Sequence, residues 1–504
     1  MFSLRTFAVA VAMVAAVGVA AGPAAAGTVC VGPQAGCFSQ LQPAILAAHD
    51  GDTITVAPGT YAGGVTIDKS IRLQGSGAAQ TVISGGGPVL TIGRATNPTD
   101  QTVSIDGLTI TGGLNDSSPG DSVTFSGGVS ILVAQLDQPP FNSTGATVSI
   151  TNSVITGNTV TSHAVIPPGF CGPTFACGFN NGGGIANGGI LTLTNSRVTN
   201  NTAGSTASLP SAASDVGSGG IANHFSATLI VRNSVISGNH ATVNSPIANH
   251  ADSGGIGSGG ALDVQDSVIS GNTVSYTGSL TTEAQAGLAG GINVDQGCPC
   301  FPQGASTIRH TVISGNTVTA ANTNPDSTPS GFAGGLFVAV PLTLDHIALT
   351  DNSVQVSGAA FAGGDGGGME IDAPVTMRDS LVARNRVSAQ APLGAIAFGG
   401  GIAMFGADLT LERTRVVANS ATATSAPGPM PFGGVASAVG GGISNGALGI
   451  PAATLTLIDS VVNANRLSGS VGLPLQGGGV YTTNGLVRTH TVIAGNKPDN
   501  CFGC

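Results

Sequence analysis

The sequence has no tryptophan, only three tyrosines, and 4 % aromatic residues overall. That scarcity argues against a long aromatic platform of the kind that carries extended sugar chains. Charge is scarce as well: Asp, Glu, Lys and Arg make up 8 %, against roughly 25 % in ordinary globular domains. Helical bundles and coiled coils need charged outer faces, so both are excluded. Lysine occurs only at Lys69 and Lys497, the 15 basic residues are scattered, and the net charge is −10. With no basic patch to neutralise phosphates, nucleic acid is not an expected partner. Disorder is excluded from the other side, because the apolar fraction is 41 % and disordered chains pair low hydrophobicity with high charge. Glycine is abundant, at 79 of 504 residues, but lacks the every-third-residue period of collagen. A regular β-architecture is what remains for a chain of this composition.

Long apolar runs are missing beyond the N-terminus. Residues 1–26 read as a secretory signal peptide, with Arg5 as the basic region, an apolar stretch from Phe7 to Ala20, and Ala24-Ala25-Ala26 as the cleavage site. The stretch is short for a spanning helix, which needs about 20 residues. The expectation is therefore a secreted, extracellular protein with no transmembrane anchor. The eight cysteines suit an oxidising compartment. They fall in close pairs: Cys30/Cys37, Cys171/Cys177, Cys298/Cys300 and Cys501/Cys504. All are read as disulfide cysteines, with local pairing expected for the first two pairs and the remaining connectivity open. Cys501 and Cys504 have the spacing of half a zinc site, but no second half follows, so no metal centre is expected.

The dominant feature is internal repetition. VSITNSVITGN (148–158), LTLTNSRVTNN (191–201), LIVRNSVISGN (229–239) and LDVQDSVISGN (262–272) are followed by six further copies, the last being LVRTHTVIAGN (486–496). The closing asparagine recurs from Asn158 to Asn496 at a mean interval of about 38 residues. Gly-Gly plus an apolar residue precedes nine of the ten copies, ending at Ile185, Ile221, Ile256, Ile292, Leu336, Met369, Ile402, Ile443 and Val480. Within each copy the apolar residues alternate, which marks strands. One column is aliphatic in every copy: Ile155, Val198, Ile236, Ile269, Ile313, Leu349, Val382, Val416, Val462 and Ile493.

A unit of three very short strands cannot bury its own apolar face, so consecutive units must stack. The reading is an all-β, single right-handed parallel β-helix of about 12–13 coils, roughly 60 Å long at about 4.8 Å per coil. The recurring asparagines are expected to form a ladder at a left-handed bend, and the paired glycines a second bend. Residues 38–49 fit a short helix capping the first coil, with Ser39 as N-cap and Leu41, Ile45 and Leu46 on its apolar face. The divisions expected are a signal peptide (1–26), an N-terminal cap (27–50), the β-helix (51–496) and a cysteine-containing tail (497–504).

LQPAILAAHDGDTITVAPGTYAGGVTIDKSIRLQGSG (41–77) resembles the opening of right-handed parallel β-helix proteins of the pectin-lyase-like superfamily. The Gly-Gly-Ile and Ile-x-x-Asn elements are similar to the repeats of chlamydial polymorphic outer-membrane proteins. That resemblance implies the fold over residues 38–496 but no single activity, because the superfamily contains lyases, hydrolases and adhesins. Its polygalacturonases use Gly-His-Gly and Arg-x-Lys elements, and neither occurs here. His346, in Leu344-Asp345-His346, falls in a polar turn column with Asn152, Asn195, Asn233, Asp266, His310, Asp379, Arg413, Asp459 and His490, and is read as structural.

The best chemical candidates follow the Gly-Gly element. Asp295, Glu370 and Asp372 are the candidate catalytic residues, with Asn293, Phe337 and Phe405 as candidate substrate contacts. Alternation places them on an outward-facing groove. Asp295 and Asp372 would stand about 10 Å apart, slightly beyond the roughly 6.5–9.5 Å of an inverting glycosidase pair. Calcium is expected only if the protein is a lyase, held by Glu370, Asp372 and Asp295; otherwise no cofactor is expected. The leading expectation is a secreted, monomeric, non-catalytic β-helix for surface display, adhesion or contact with a polysaccharide, matrix or cell-surface glycan. The alternative is a polysaccharide lyase or glycoside hydrolase working in the groove.

Overall fold

The computed structural model describes residues 26–93, 101–116, 126–132, 145–162, 181–205, 214–244, 248–278, 288–295, 305–426, 435–446, 453–470, 475–483 and 485–504. Every strand pairing in it is parallel, and each strand pairs with the equivalent segment one repeat away. Val154, Ile155 and Thr156, for example, lie opposite Arg197, Val198 and Thr199. The chain is therefore a parallel β-helix. Among the described residues its three faces contain 14, 13 and 13 strands, so the first face exceeds the expected 12–13 coils by one.

The first face is built from segments such as Ile190–Thr194, the second from segments such as Arg197–Thr199, and the third from segments such as Ile185–Asn187. The aliphatic column lies on the second face and is fully buried from Ile155 to Val462; only Ile493, in the last coil, is half-buried. These side chains join Leu191, Leu193, Ile185 and their counterparts in one continuous core.

The asparagine ladder is present. In each step the Nδ2 of one asparagine donates to the Oδ1 of the next, from Asn158 to Asn201 (2.9 Å) through to Asn465 and Asn496 (2.9 Å). The left-handed bend, however, lies one residue earlier, at Gly157, Asn200, Gly238, Gly271, Gly315, Asp351, Arg384, Ala418, Ala464 and Gly495. The asparagines stay out of the left-handed region because their task is to accept from the coil on one side and donate to the coil on the other. The polar column running from Asn152 to His490 forms a second left-handed bend, with φ between 47° and 53° in all ten residues. Asn, Asp and His are enriched in that conformation, which explains the composition of the column. At the glycine bend there is no room for a Cβ: one added at Gly291 would stand 2.4 Å from the Gly335 carbonyl oxygen.

A fourth sheet is absent from the expected plan. Among the described residues it has ten strands, nine of them directly after a ladder asparagine, including Thr273–Gly278 and Thr317–Asn322. Return strands pack back on them, namely Ser214–Ser218 with Ala248–Ser253, and Ser330–Gly331 with Phe361–Asp365, Gly394–Phe398 and Val435–Val439. The resulting arm has its own core, including Val274, Tyr276, Val356, Ala362, Ala397 and Ala438. The stretches that follow Asn158 and Asn419 begin as strands of this arm, Thr159–Ser162 and Ser420–Thr424. Alanine and glycine fill much of its interior, so the apolar alternation that marks a strand is faint there.

The N-terminal helix spans Leu41–Ala47, with Gln40 rather than Ser39 at the N-cap and no capping side chain. Leu41, Ala44 and Ile45 are buried against the first coil, whereas Leu46 is 64 % exposed, contrary to expectation. Lys69 closes the helix C-terminus through Nζ bonds to the carbonyls of Ile45 (3.1 Å), Leu46 (2.8 Å) and Ala48 (2.7 Å). The β-helix begins before residue 51, since Thr28–Val31 pairs with Thr53–Val56. It also runs past residue 496, since Cys501 and Phe502 pair with Val480 and Tyr481. Cys30–Cys37 and Cys501–Cys504 are disulfides. Cys171, Cys177, Cys298, Cys300 and residues 1–25, nearly all of the expected signal peptide, lie outside the described residues.

Candidate functional site

The return strands of the arm run through the glycines into the third face, and the two make a corner. Alternation divides each return strand. Ala362, Ala395, Ala397, Ala436 and Ala438 enter the arm core, leaving Asp365, Ile396, Phe398 and Val439 on the opposite side. Asp365 and Phe398 are register partners, as are Phe398 and Val439. Facing them is the outer column of the third face, where Asn293, Phe337, Glu370, Ala403 and Ser444 are successive register partners.

This geometry corrects the expected groove. Asn293, Phe337 and Glu370 do point away from the helix core, but they are 0 %, 7 % and 3 % exposed, because the arm folds back over them. Phe337 packs with Ala289, Ala333, Leu288 and Phe332, so its ring is not open to stack on a sugar. Phe405 is half-buried beside Phe398, Ala403 and Val439. The accessible part is a strip two residues further on, where the backbone N–H groups of Asp295, Ala339, Asp372 and Phe405 bond to the preceding coils. Asp372 is exposed, and Asp295, Ala339 and Phe405 are half-buried.

Two polar clusters interrupt an otherwise apolar corner. In the first, the Asn293 amide donates to Asp252 and, at 2.9 Å, to Asp295 Oδ2. In the second, Asp365 joins the expected residues Glu370 and Asp372. Asp365 was not singled out from the sequence, since nothing in the repeat shows that its strand folds back on this side. This coil of carboxyls lies between one apolar coil containing Phe332 and Phe337 and another containing Phe398 and Ala403. Glu370 Oε2 and Asp365 Oδ1 are buried without a hydrogen-bond partner.

Desolvation, followed by the neighbouring Asp372 charge, pushes Asp365 up to about 8. Glu370 is raised by burial and by both aspartates, partly offset by the Ala333 N–H. Asp372 keeps a solvent-exposed surface, but the chain packed around its carboxyl desolvates it and raises it to about 6. These neutral forms stabilise the fold at low pH, and that contribution is lost as pH rises through the folded pKa values. From this cluster, the melting temperature is expected to fall between about pH 5 and pH 8. Asp365→Asn should melt several degrees above the unsubstituted chain at pH 8 and level with it at pH 4. Scanning calorimetry across that range checks this, and equal slopes for the two proteins would contradict it.

Asp295 does not join the second cluster. It stands two coils from Asp372, about 10 Å along the axis, with Phe337 and Ala339 in the coil between. Calcium–oxygen bonds are about 2.3–2.6 Å, so Asp295, Glu370 and Asp372 do not form one calcium cage. Among the described residues no helix is long and apolar enough to cross a membrane. Comparison with protein-family models, curated proteins and solved structures finds no match.

Proposed function

We propose that this chain is an exported, non-catalytic β-helix that contacts a neutral glycan along the strip Asp295, Ala339, Asp372 and Phe405, in surface display, adhesion or matrix attachment. The observation that carries this reading is the make-up of the strip: accessible carboxylates and a half-buried ring, with no lysine or arginine in either column. Carboxylates accept hydrogen bonds from sugar hydroxyls, whereas an acidic strip without cations repels polyuronates. The export reading rests on residues 1–26, and the kinship with pectin-lyase-like and polymorphic outer-membrane repeats rests on the motifs quoted above.

One observation favours a second reading, glycoside hydrolysis. The environments of Asp365 and Asp372 push their pKa values apart, to about 8 and about 6, which is the pattern of an acid and a base. Asp365 is only 8 % exposed, so a substrate would have to open the corner to reach it. A binding role needs only the open strip. Lyase chemistry has the least support, since no basic residue stands in the strip to abstract a proton.

Affinity electrophoresis of the purified chain through a panel of neutral and acidic polysaccharides tests this reading, with reducing ends and unsaturated products followed in parallel. Retardation by a neutral glycan without products is expected. Phe405→Ala should weaken it about tenfold, or about 1.4 kcal/mol, and Asp372→Asn should weaken it with little change in melting. Reducing ends that disappear in Asp365→Asn would establish the hydrolase instead. Absence of both retardation and products across the panel would sink both readings.

A further inference from the structure

We infer that the turn between the first and second faces holds a divalent transition-metal ion of the zinc class, ligated by His310, His346 and Asp345. One potential ligand atom from each of these residues lies within 4.8 Å of the others. His310 and His346 occupy the same place in consecutive coils, at φ of 47° and 53°, so stacking projects both side chains in the same direction. Their ring centroids are 4.9 Å apart. Both remain open to solvent, with side chains 49 % and 53 % exposed.

The surrounding charges suit a cation. Asp345 Oδ1 lies 3.0 Å from His346 Nδ1, and Asp266 Oδ1 lies 3.9 Å from His310 Nδ1. Asp345 Oδ1 and His346 Nδ1 lie close enough to turn on one ion, and Asp266 adds a negative charge beside His310. With a ring nitrogen of His310 they make a set of two imidazoles and one carboxylate, with a fourth position for water. The nearby arginines face other acids: Arg309 is 3.6 Å from Asp263, Arg378 is 2.9 Å from Glu412, and Arg413 grips Asp379 at 2.7 and 2.9 Å. Imidazole ligands select zinc, copper or nickel over calcium or magnesium. This site sits at a different turn of the coil from the proposed glycan strip, on the far side of the strand Leu342–Asp345, and stands or falls separately from it.

The test is isothermal titration of Zn²⁺ into the purified full chain after treatment with a chelator, with Ca²⁺ as the contrasting ion. The substitutions are His310→Asn and His346→Asn. Asparagine fills this column natively at Asn152, Asn195 and Asn233, so the left-handed turn is kept and the fold is retained. His490→Asn, in the same column beside Asp459, is the control. The expected result is one equivalent of Zn²⁺, no matching Ca²⁺ signal, at least a tenfold loss of affinity in each of the first two variants, and none in the control. Absence of zinc binding up to about 100 µM, or equal binding in all three variants, would overturn the assignment.

Discussion

Asn316→Ala is expected to break the rod in its middle. Asn316 Nδ2 donates to Asn352 Oδ1 and to the Ile269 carbonyl, both at 3.0 Å. Its Oδ1 accepts from the Asn272 backbone N–H at 3.0 Å and from Asn272 Nδ2 at 2.9 Å. The substitution therefore leaves an orphaned carbonyl and two orphaned N–H groups in a place where Asn316 is fully buried. Each unsatisfied group costs about 1–3 kcal/mol, for a total of at least about 3 kcal/mol. In a stacked repeat the loss falls on one coil–coil interface. Chemical denaturation should show either a lowered midpoint or a second transition as the two halves lose cooperativity. A single transition with an unchanged midpoint would mean that the ladder decorates the stack without holding it.

Ile313→Asp should have the larger effect. Ile313 is fully buried between Ile269 and Leu349, its register partners in the adjoining coils. A carboxylate there has neither water nor a cation, and the penalty exceeds about 4–5 kcal/mol. The expected outcome is chain that is degraded or insoluble, with no β-sheet signal in circular dichroism. Ile313→Val keeps an apolar contact and should cost only about 0.5–1.5 kcal/mol. Soluble Ile313→Asp protein with unchanged melting would displace the second face from the core and with it the register of the whole stack.

Both predictions concern features legible in the repeats. The Asn and aliphatic columns stand out because stacking imposes the same environment on every coil, so each coil selects the same residue type. The candidate site was legible only in part. Glu370 and Asp372 were found because they follow the Gly-Gly element at a fixed offset. The burial of Glu370 was not, because the strand covering it is carried in by the arm. Ala362, Gly364, Ala395 and Ala397 build that arm with side chains too small to leave a strong apolar pattern. Asp365 is the clearest omission: its meaning depends on a return strand that the repeat does not announce. The turn column was recognised as polar, but two histidines spaced 36 residues apart become neighbours only when the coils stack.

The repeats specify a parallel β-helix, roughly how many coils stack, which side chains fill its core and which asparagines tie the coils together. Those properties repeat along the chain, and a periodic constraint leaves a periodic trace. The packing of the arm on the coils, by contrast, sets which carboxyls are desolvated and which strip stays open, and the stacking brings His310 and His346 into one patch of surface. Such properties arise where non-repeating segments meet the repeating ones. Desolvation and proximity depend on what covers a residue, and no local pattern around that residue records its cover.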